Sequence, residues 1–182
     1  MYKEYGEPPM KRLIDRLLDR AHKGDSEAQS RLADRLMAGG KSRGYQLAMP
    51  WLRRAAAQGE DWAAYHLGLI YDRGLGVKRN RQIAAKWYQR AAERGYDSAQ
   101  LNLGIILANR PAGQRDLRRA VQLYRKAAAQ GNRNAAYNLG LYYEQGRGVP
   151  RNLPVALRWY GVAAKAGDRD ARRAIAILRR SA

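Results

Sequence analysis

The 182-residue chain contains no cysteine, which excludes disulfides, thiolate catalysis, cysteine-ligated zinc and a lipoprotein anchor. Phenylalanine is also absent, and twelve tyrosines and four tryptophans supply the aromatic bulk. No stretch approaches 18 apolar residues, and the polar segment Met1 to Lys11 lacks the apolar core of a secretion signal. The expectation is a soluble, cytoplasmic protein without membrane insertion, or a periplasmic one if a signal peptide has been removed. His22 and His66 are the only histidines. Neither stands in a pattern with further metal ligands or with an acid and a nucleophile, so no metal, cofactor or enzymatic activity is expected. His22, beside Lys23 at a helix end, is expected in solvent.

Acidic side chains are few, 16 against 35 basic ones, for a net charge of +19. Residues 1–61 carry 12 basic and 9 acidic groups (+3), and residues 62–182 carry 23 and 7 (+16). Such a field attracts acidic partners, whether protein, nucleic acid or anionic membrane. Arg outnumbers Lys 27 to 8, and a GC-rich coding bias toward Arg and Ala is the competing account of that excess.

What the chain does have is a beat of glycines. Gly24, Gly59, Gly95, Gly131 and Gly167 stand 35, 36, 36 and 36 residues apart, the mark of one supersecondary unit stacked on copies of itself. One unit reads Ala63, Leu67-Gly68, Tyr71, Gly74, Gly76-Val77, Asn80, Ala84, Trp87-Tyr88, Ala91-Ala92, Gly95. Another reads Ala135, Leu139-Gly140, Tyr143, Gly146, Gly148-Val149, Asn152, Ala156, Trp159-Tyr160, Ala163-Ala164, Gly167. Between them stand Ala99, Leu103-Gly104, Asp116, Ala120, Leu123-Tyr124 and Ala127-Ala128, with the loop Arg110-Pro111-Ala112-Gly113 in place of Gly-x-Gly-Val. The four-residue spacing predicts two amphipathic helices per unit. Asn80, Asp116 and Asn152 suit the N-cap of the second helix, and the period glycine suits its left-handed end. Gly68, Gly104 and Gly140 fall inside the first helix at a cost of ~1 kcal/mol each. The expected compensation is close approach beneath the Trp or Leu of the second helix.

The motifs Leu-Gly-x-x-Tyr, Gly-x-Gly-Val and Trp-Tyr-x-x-Ala-Ala-x-x-Gly, repeated in register over residues 24–180, resemble the Sel-one-like repeat, a relative of the tetratricopeptide repeat. The resemblance implies an all-α, right-handed α-solenoid of antiparallel helix pairs with about 36-residue repeats, whose first helices line a concave face. It also implies a non-catalytic scaffold or adaptor; relatives include envelope adaptors, effector-associated proteins and immunity proteins against secreted toxins. The expected divisions are an N-terminal helix (1–23), an irregular first repeat (24–59), repeats at 60–95, 96–131 and 132–167, and a capping helix (168–182). The first repeat has Leu32-Ala33 and Leu36 in place of Leu-Gly and Tyr, a loop one residue shorter, and Pro50 where it should kink or delay the second helix. Leu13, Ile14, Leu17, Leu18 and Ala21 read as a second helix without its first. Ala171, Ile175 and Ala176 copy a first helix whose outer face Arg172, Arg173, Arg179 and Arg180 make polar.

In that geometry the groove or its edge takes Trp62, Ser98 and Asn134; Tyr65, Leu101 and Tyr137; and Leu69, Ile105 and Leu141, with Asp72 and Glu144 on the same side. Tyr and Leu there are also consensus packing residues, whereas Trp62 replaces a small or polar one and is the candidate hot spot. His66 holds the slot of Asn102 and Asn138, where an inter-repeat hydrogen bond is expected. Gly74-Leu75-Gly76 and Gly146-Arg147-Gly148 lack the Lys-Ser/Thr of a phosphate loop and are turn glycines. Lys86, Arg90, Arg94, Arg118, Arg119, Arg125, Lys126, Arg158 and Lys165 fall on second helices. They form either a solvated outer face or a basic flank that steers an acidic partner. The leading expectation is a protein-binding module for an acidic protein or peptide, with a toxin inhibitor as its specific form. The rival is a basic nucleic-acid-binding solenoid, whose affinity would fall steeply with salt.

Overall fold

A computed structural model describes residues 9–109 and 113–180, the first five as backbone only. These residues form helices α1 (Pro9–His22), α2 (Ser26–Met37), α3 (Ser42–Ala57), α4 (Asp61–Arg73), α5 (Arg81–Glu93), α6 (Asp97–Ala108), α7 (Gln114–Ala129), α8 (Arg133–Gln145), α9 (Leu153–Lys165) and α10 (Arg169–Arg180). The chain divides into two compact units, residues 1–87 and 88–182, with the division inside α5. In the first unit α2 packs on both α1 and α3, and α3 packs on α4. In the second, α6 packs on α7, α7 on α8, α8 on α9 and α9 on α10. The expected loop residues Arg110, Pro111 and Ala112 lie outside the described residues, as does the side chain of Leu13.

The caps explain where the helices start and stop. Asn80 accepts from Gln82 and Ile83 N–H at 3.0 Å each, and Asn152 from Val155 N–H at 3.0 Å. Asp25 and Asn132 cap α2 and α8 in the same way, at 2.9 and 3.1 Å. All five period glycines have φ between +88° and +102°, the left-handed region that ends a helix without a Cβ penalty. Asp116, expected as an N-cap, instead lies in the first turn of α7, whose N-cap is Gly113. Without a Gly-x-Gly-Val loop to span, α7 begins three residues early and runs for 16 residues, against 13 in α5 and α9.

The first repeat follows the same rule. α3 also begins early and runs 16 residues, unbroken through the exposed Pro50, so its start is advanced and not delayed as expected. Second helices therefore come in two lengths, long after a short loop and short after Gly-x-Gly-Val. The glycine loops press on the long helices: a Cβ on Gly148 would lie 2.6 Å from the Leu117 carbonyl carbon, and Gln46 Nε2 donates to the Gly76 carbonyl at 2.8 Å.

Close approach explains the helical glycines in the second unit. A Cβ on Gly104 would lie 2.5 Å from the Tyr124 ring, and one on Gly140 would lie 2.5 Å from Tyr160. The covering side chain is thus the tyrosine of the Leu-Tyr or Trp-Tyr pair, where Leu or Trp was expected; Leu123 and Trp159 are only half-buried. In the first repeat Ala33 and Leu52 hold the corresponding places, and both are fully buried. A smaller side chain in the tyrosine's place matches a methyl in the glycine's place, as close packing requires.

Two buried glutamines also tie helices together. Gln29, 2 % exposed, donates to the Ala21 carbonyl at 3.0 Å and accepts from Gln58 Nε2 at 2.9 Å. Gln100, 3 % exposed, donates to the Ala92 carbonyl at 3.2 Å and accepts from Gln130 Nε2 at 3.0 Å. Each adds a second donor to a helix-end carbonyl that also accepts the N–H of its period glycine, Gly24 at 3.2 Å and Gly95 at 3.1 Å.

Candidate functional site

In the first unit α4 carries Trp62, Tyr65, His66 and Leu69 at helical spacing, all half-buried. Residues three and four apart share a face, and here they stack. The Trp62 and His66 rings lie 4.0 Å apart, tilted by 39°, and Tyr65 meets His66 edge-on at 5.2 Å. The inter-repeat hydrogen bond expected of His66 is absent among the described residues; ring contacts on its own helix take its place. Burial lowers its pKa, against the opposing pull of the Asp34 carboxylate on α2.

Between α2 and α4 lies an open cavity of about 240 Å³, lined by Ser30, Arg31, Asp34 and Trp62. A second, of about 270 Å³, continues along α2 past Leu17, Arg31, Asp34 and Arg35. Asp72, expected on the groove side, is engaged by its own loop. Its carboxylate lies 3.5 Å from Arg81 Nε and 4.0 Å from Arg79 Nη2, and Arg79 Nε donates to its carbonyl at 2.7 Å. His22 is exposed, yet its Nδ1 is 2.8 Å from the Leu18 carbonyl and its ring meets Trp51 edge-on at 5.0 Å.

The second unit presents a different face. Leu101 is 8 % exposed and belongs to the core, whereas Ile105 is 36 % exposed; in this pair only Ile105 offers open apolar surface. Tyr137 and Leu141 are half-buried on α8, with the Tyr137 ring 5.6 Å from Tyr160. Glu144 accepts the Tyr160 hydroxyl at 2.6 Å, and Arg151 Nε donates to its carbonyl at 3.0 Å. Burial first, and then Glu144, pushes the Tyr160 pKa up. Tyr137 is raised by burial and by the Asp170, Asp168 and Glu144 carboxylates. Tyr124 is raised by burial and by Tyr142.

The expected basic flank is exposed throughout at Arg90, Arg94, Arg118, Arg119 and Arg125. Arg90 and Arg94 are both engaged in side-chain interactions. Arg125 bonds the Tyr143 hydroxyl and lies over that ring at 5.8 Å. Arg119 lines a cavity of about 190 Å³ with Glu93, Gln122 and Lys126, and Arg118 another of about 300 Å³ with Gln114 and Gly148. Ser30, Arg31 and Asp34, missed by the sequence reading, face Trp62 from α2. They hold in the first repeat the places of Tyr65, His66 and Leu69, and that register was the available signal. Among the described residues no cluster of three metal-ligating side chains occurs, and no helix is long and apolar enough to cross a membrane.

Comparison with known proteins fits this architecture. The crystal structure of a Sel1 repeat protein from Oxalobacter formigenes is similar at 31% identity and a TM-score of 0.76, covering 85% of this chain and 64% of that one. The chain thus spans less than two thirds of that relative. A protective antigen of uropathogenic Escherichia coli displaying an SLR fold is similar at 28% identity and a TM-score of 0.52, over 92% of this chain and 44% of that one. Cysteine rich protein B of Helicobacter pylori shares the fold at 24% identity and a TM-score of 0.55, over 71% and 93%. No match was found among curated proteins. The Sel1 repeat model matches residues 26–60, 63–96, 97–132 and 133–168. With helix pairs, left-handed glycines and tyrosine-covered glycine slots in the same register, the chain belongs to the Sel1 repeat family.

Proposed function

We propose that this Sel1 repeat protein is a non-catalytic scaffold that binds an acidic protein partner through the exposed faces of its first helices. The observation that carries the reading is Trp62, half-buried on His66 beside an open cavity of about 240 Å³. An indole held by a rigid helix offers contact area at low entropic cost, and such residues dominate binding energy. The excess of basic over acidic groups in residues 62–182 supports an acidic partner by steering its approach. One specific form, carried by family resemblance alone, is an inhibitor that occupies a bacterial secreted toxin.

The test is capture of a protein by the immobilised chain at low and moderate salt, repeated with nuclease treatment. Trp62→Ala with Tyr65→Ala should weaken capture by at least tenfold, as loss of a hot-spot pair does. Full retention by that double variant discards the face assignment. Capture abolished by nuclease favours a nucleic-acid ligand instead.

A further inference from the structure

We propose that the cavity between α2 and α4 is a subsite for one cationic side chain, arginine or lysine, of the bound protein. The inference rests on the protein-binding reading and specifies what the Trp62 end accepts. Trp62, Asp34 and Ser30 line it together with Arg31. Indole faces attract cations more strongly than other aromatic side chains do. Asp34 is exposed, and its carboxylate forms no ion pair or hydrogen bond among the described residues. The buried Ser30 hydroxyl has no hydrogen-bond partner among the described residues, and it would need another staggered χ1 rotamer to turn toward a ligand.

The pairing of the neighbouring charges leaves the Asp34 carboxylate as the open one. Arg31, the basic residue of the cavity, is already paired with Glu27 at 2.7 Å, and Arg20 lies 3.8 Å from the same carboxylate. An incoming carboxylate must displace Glu27 from Arg31 and approach Asp34. An incoming guanidinium or ammonium meets an unpaired carboxylate and the indole. Burial of His66, stacked on Trp62, lowers its pKa and so disfavours a competing positive charge. Arg35 stands along the adjoining cavity of about 270 Å³, which shares Arg31 and Asp34 and gives the aliphatic stem a place to lie. Residues 1–61 carry a balance of only +3, so this end does not repel a cation as the remainder would.

The experiment follows the indole N–H signals of the full chain by NMR during titration with N-acetyl-arginine methylamide, and with the neutral isostere N-acetyl-citrulline methylamide. The arginine compound should shift the Trp62 signal and leave Trp51, Trp87 and Trp159 in place, with the citrulline compound roughly tenfold weaker. Asp34→Asn should reduce the arginine affinity by a similar factor at an unchanged melting temperature. Should Asp34→Asn lower the melting temperature, Trp62→Leu serves as the second variant and should weaken arginine binding, read by titration calorimetry, by at least tenfold; undiminished binding there also overturns the subsite. Equal binding of the two compounds, or undiminished binding by Asp34→Asn, overturns the subsite. Arginine binding without capture of any protein leaves the subsite and removes the broader reading. Capture without arginine binding does the reverse.

Discussion

In the first unit Arg53 donates to the Tyr71 hydroxyl and Arg79 to the Asp72 carbonyl; in the second, Arg125 donates to Tyr143 and Arg151 to the Glu144 carbonyl. Each pair recurs 72 residues further on, as do the glycine loops at Gly74 and Gly146 and the long helices α3 and α7. The glutamine ties recur as well, 71 residues apart at Gln29 and Gln100. What differs is the filling. The first repeat has buried Leu52 and Ala33 in the places where the second unit seats Tyr124 over Gly104 and Tyr160 over Gly140. The exposed faces differ too, with Trp62, His66 and Asp34 in one unit against Ile105, Tyr137 and Leu141 in the other. Shared clasps hold the helices, and the unmatched positions are the ones available for recognition.

Exchanging the fillings should give the largest effect. Gly140→Ala drives a methyl into Tyr160 and should cost about 1–3 kcal/mol in chemical denaturation. Adding Tyr160→Leu recreates the Ala33 and Leu52 arrangement and should recover part of that loss. Additive losses in the double-mutant cycle would break the equivalence of the two solutions. Removing a glutamine tie comes next. Gln29→Ala and Gln100→Ala should each cost about 1–2 kcal/mol, because each removes two buried side-chain hydrogen bonds that tie helices together. Unequal losses would show that the ties are not equivalent.

Dependence on pH should separate the units further, with smaller shifts. Tyr124, Tyr137 and Tyr160 have raised pKa values in the folded second unit. Their contribution is complete below the unfolded value of about 10 and is lost as pH rises above it, because the unfolded chain ionises first. The melting temperature should therefore fall above pH ~10, and Tyr160→Phe should flatten that fall. In the first unit the lowered pKa of His66 acts in the opposite direction. Its contribution is complete above about 6.5 and is lost as pH falls, because the unfolded chain protonates first. His66→Asn, which installs the residue of the Asn102 and Asn138 slot, should remove that acid-side loss. The smallest effect belongs to the exposed arginine clasps, where Arg53→Ala and Arg125→Ala should each cost under about 1 kcal/mol.

The helix pairs, their glycine ends and the Asn80 and Asn152 caps were legible because each depends on local spacing. The Asp116 cap was misread because a shortened loop lets α7 start earlier, a choice made by chain length and not by the aspartate. The ring over the helical glycines was misplaced by one residue. Adjacent residues on a helix point about 100° apart, and periodicity alone did not say which of Trp159 and Tyr160 faces inward. Gln29 and Gln100 were readable in principle, since each interrupts a slot that Ala64 and Ala136 fill elsewhere. Trp62 stood out as an exception to its own repeat. Ser30 and Asp34 did not, because their part in the cavity depends on how α2 and α4 pack.

The two kinds of connection give the repeats unequal room to change. A Cβ on Gly39, in the joint between α2 and α3, would meet nothing within 4 Å. By contrast, Gly148 is pressed against Leu117, and the Gly76 carbonyl is held by Gln46. Extra residues added at the open joint lengthen a surface loop at a modest entropic cost that grows only slowly with length. Added to a glycine loop, they would prise apart the seat of a long helix. Growth, loop grafting and the acquisition of new binding segments are therefore channelled to the open joint, while the tight glycine loops keep the long helices in their seats.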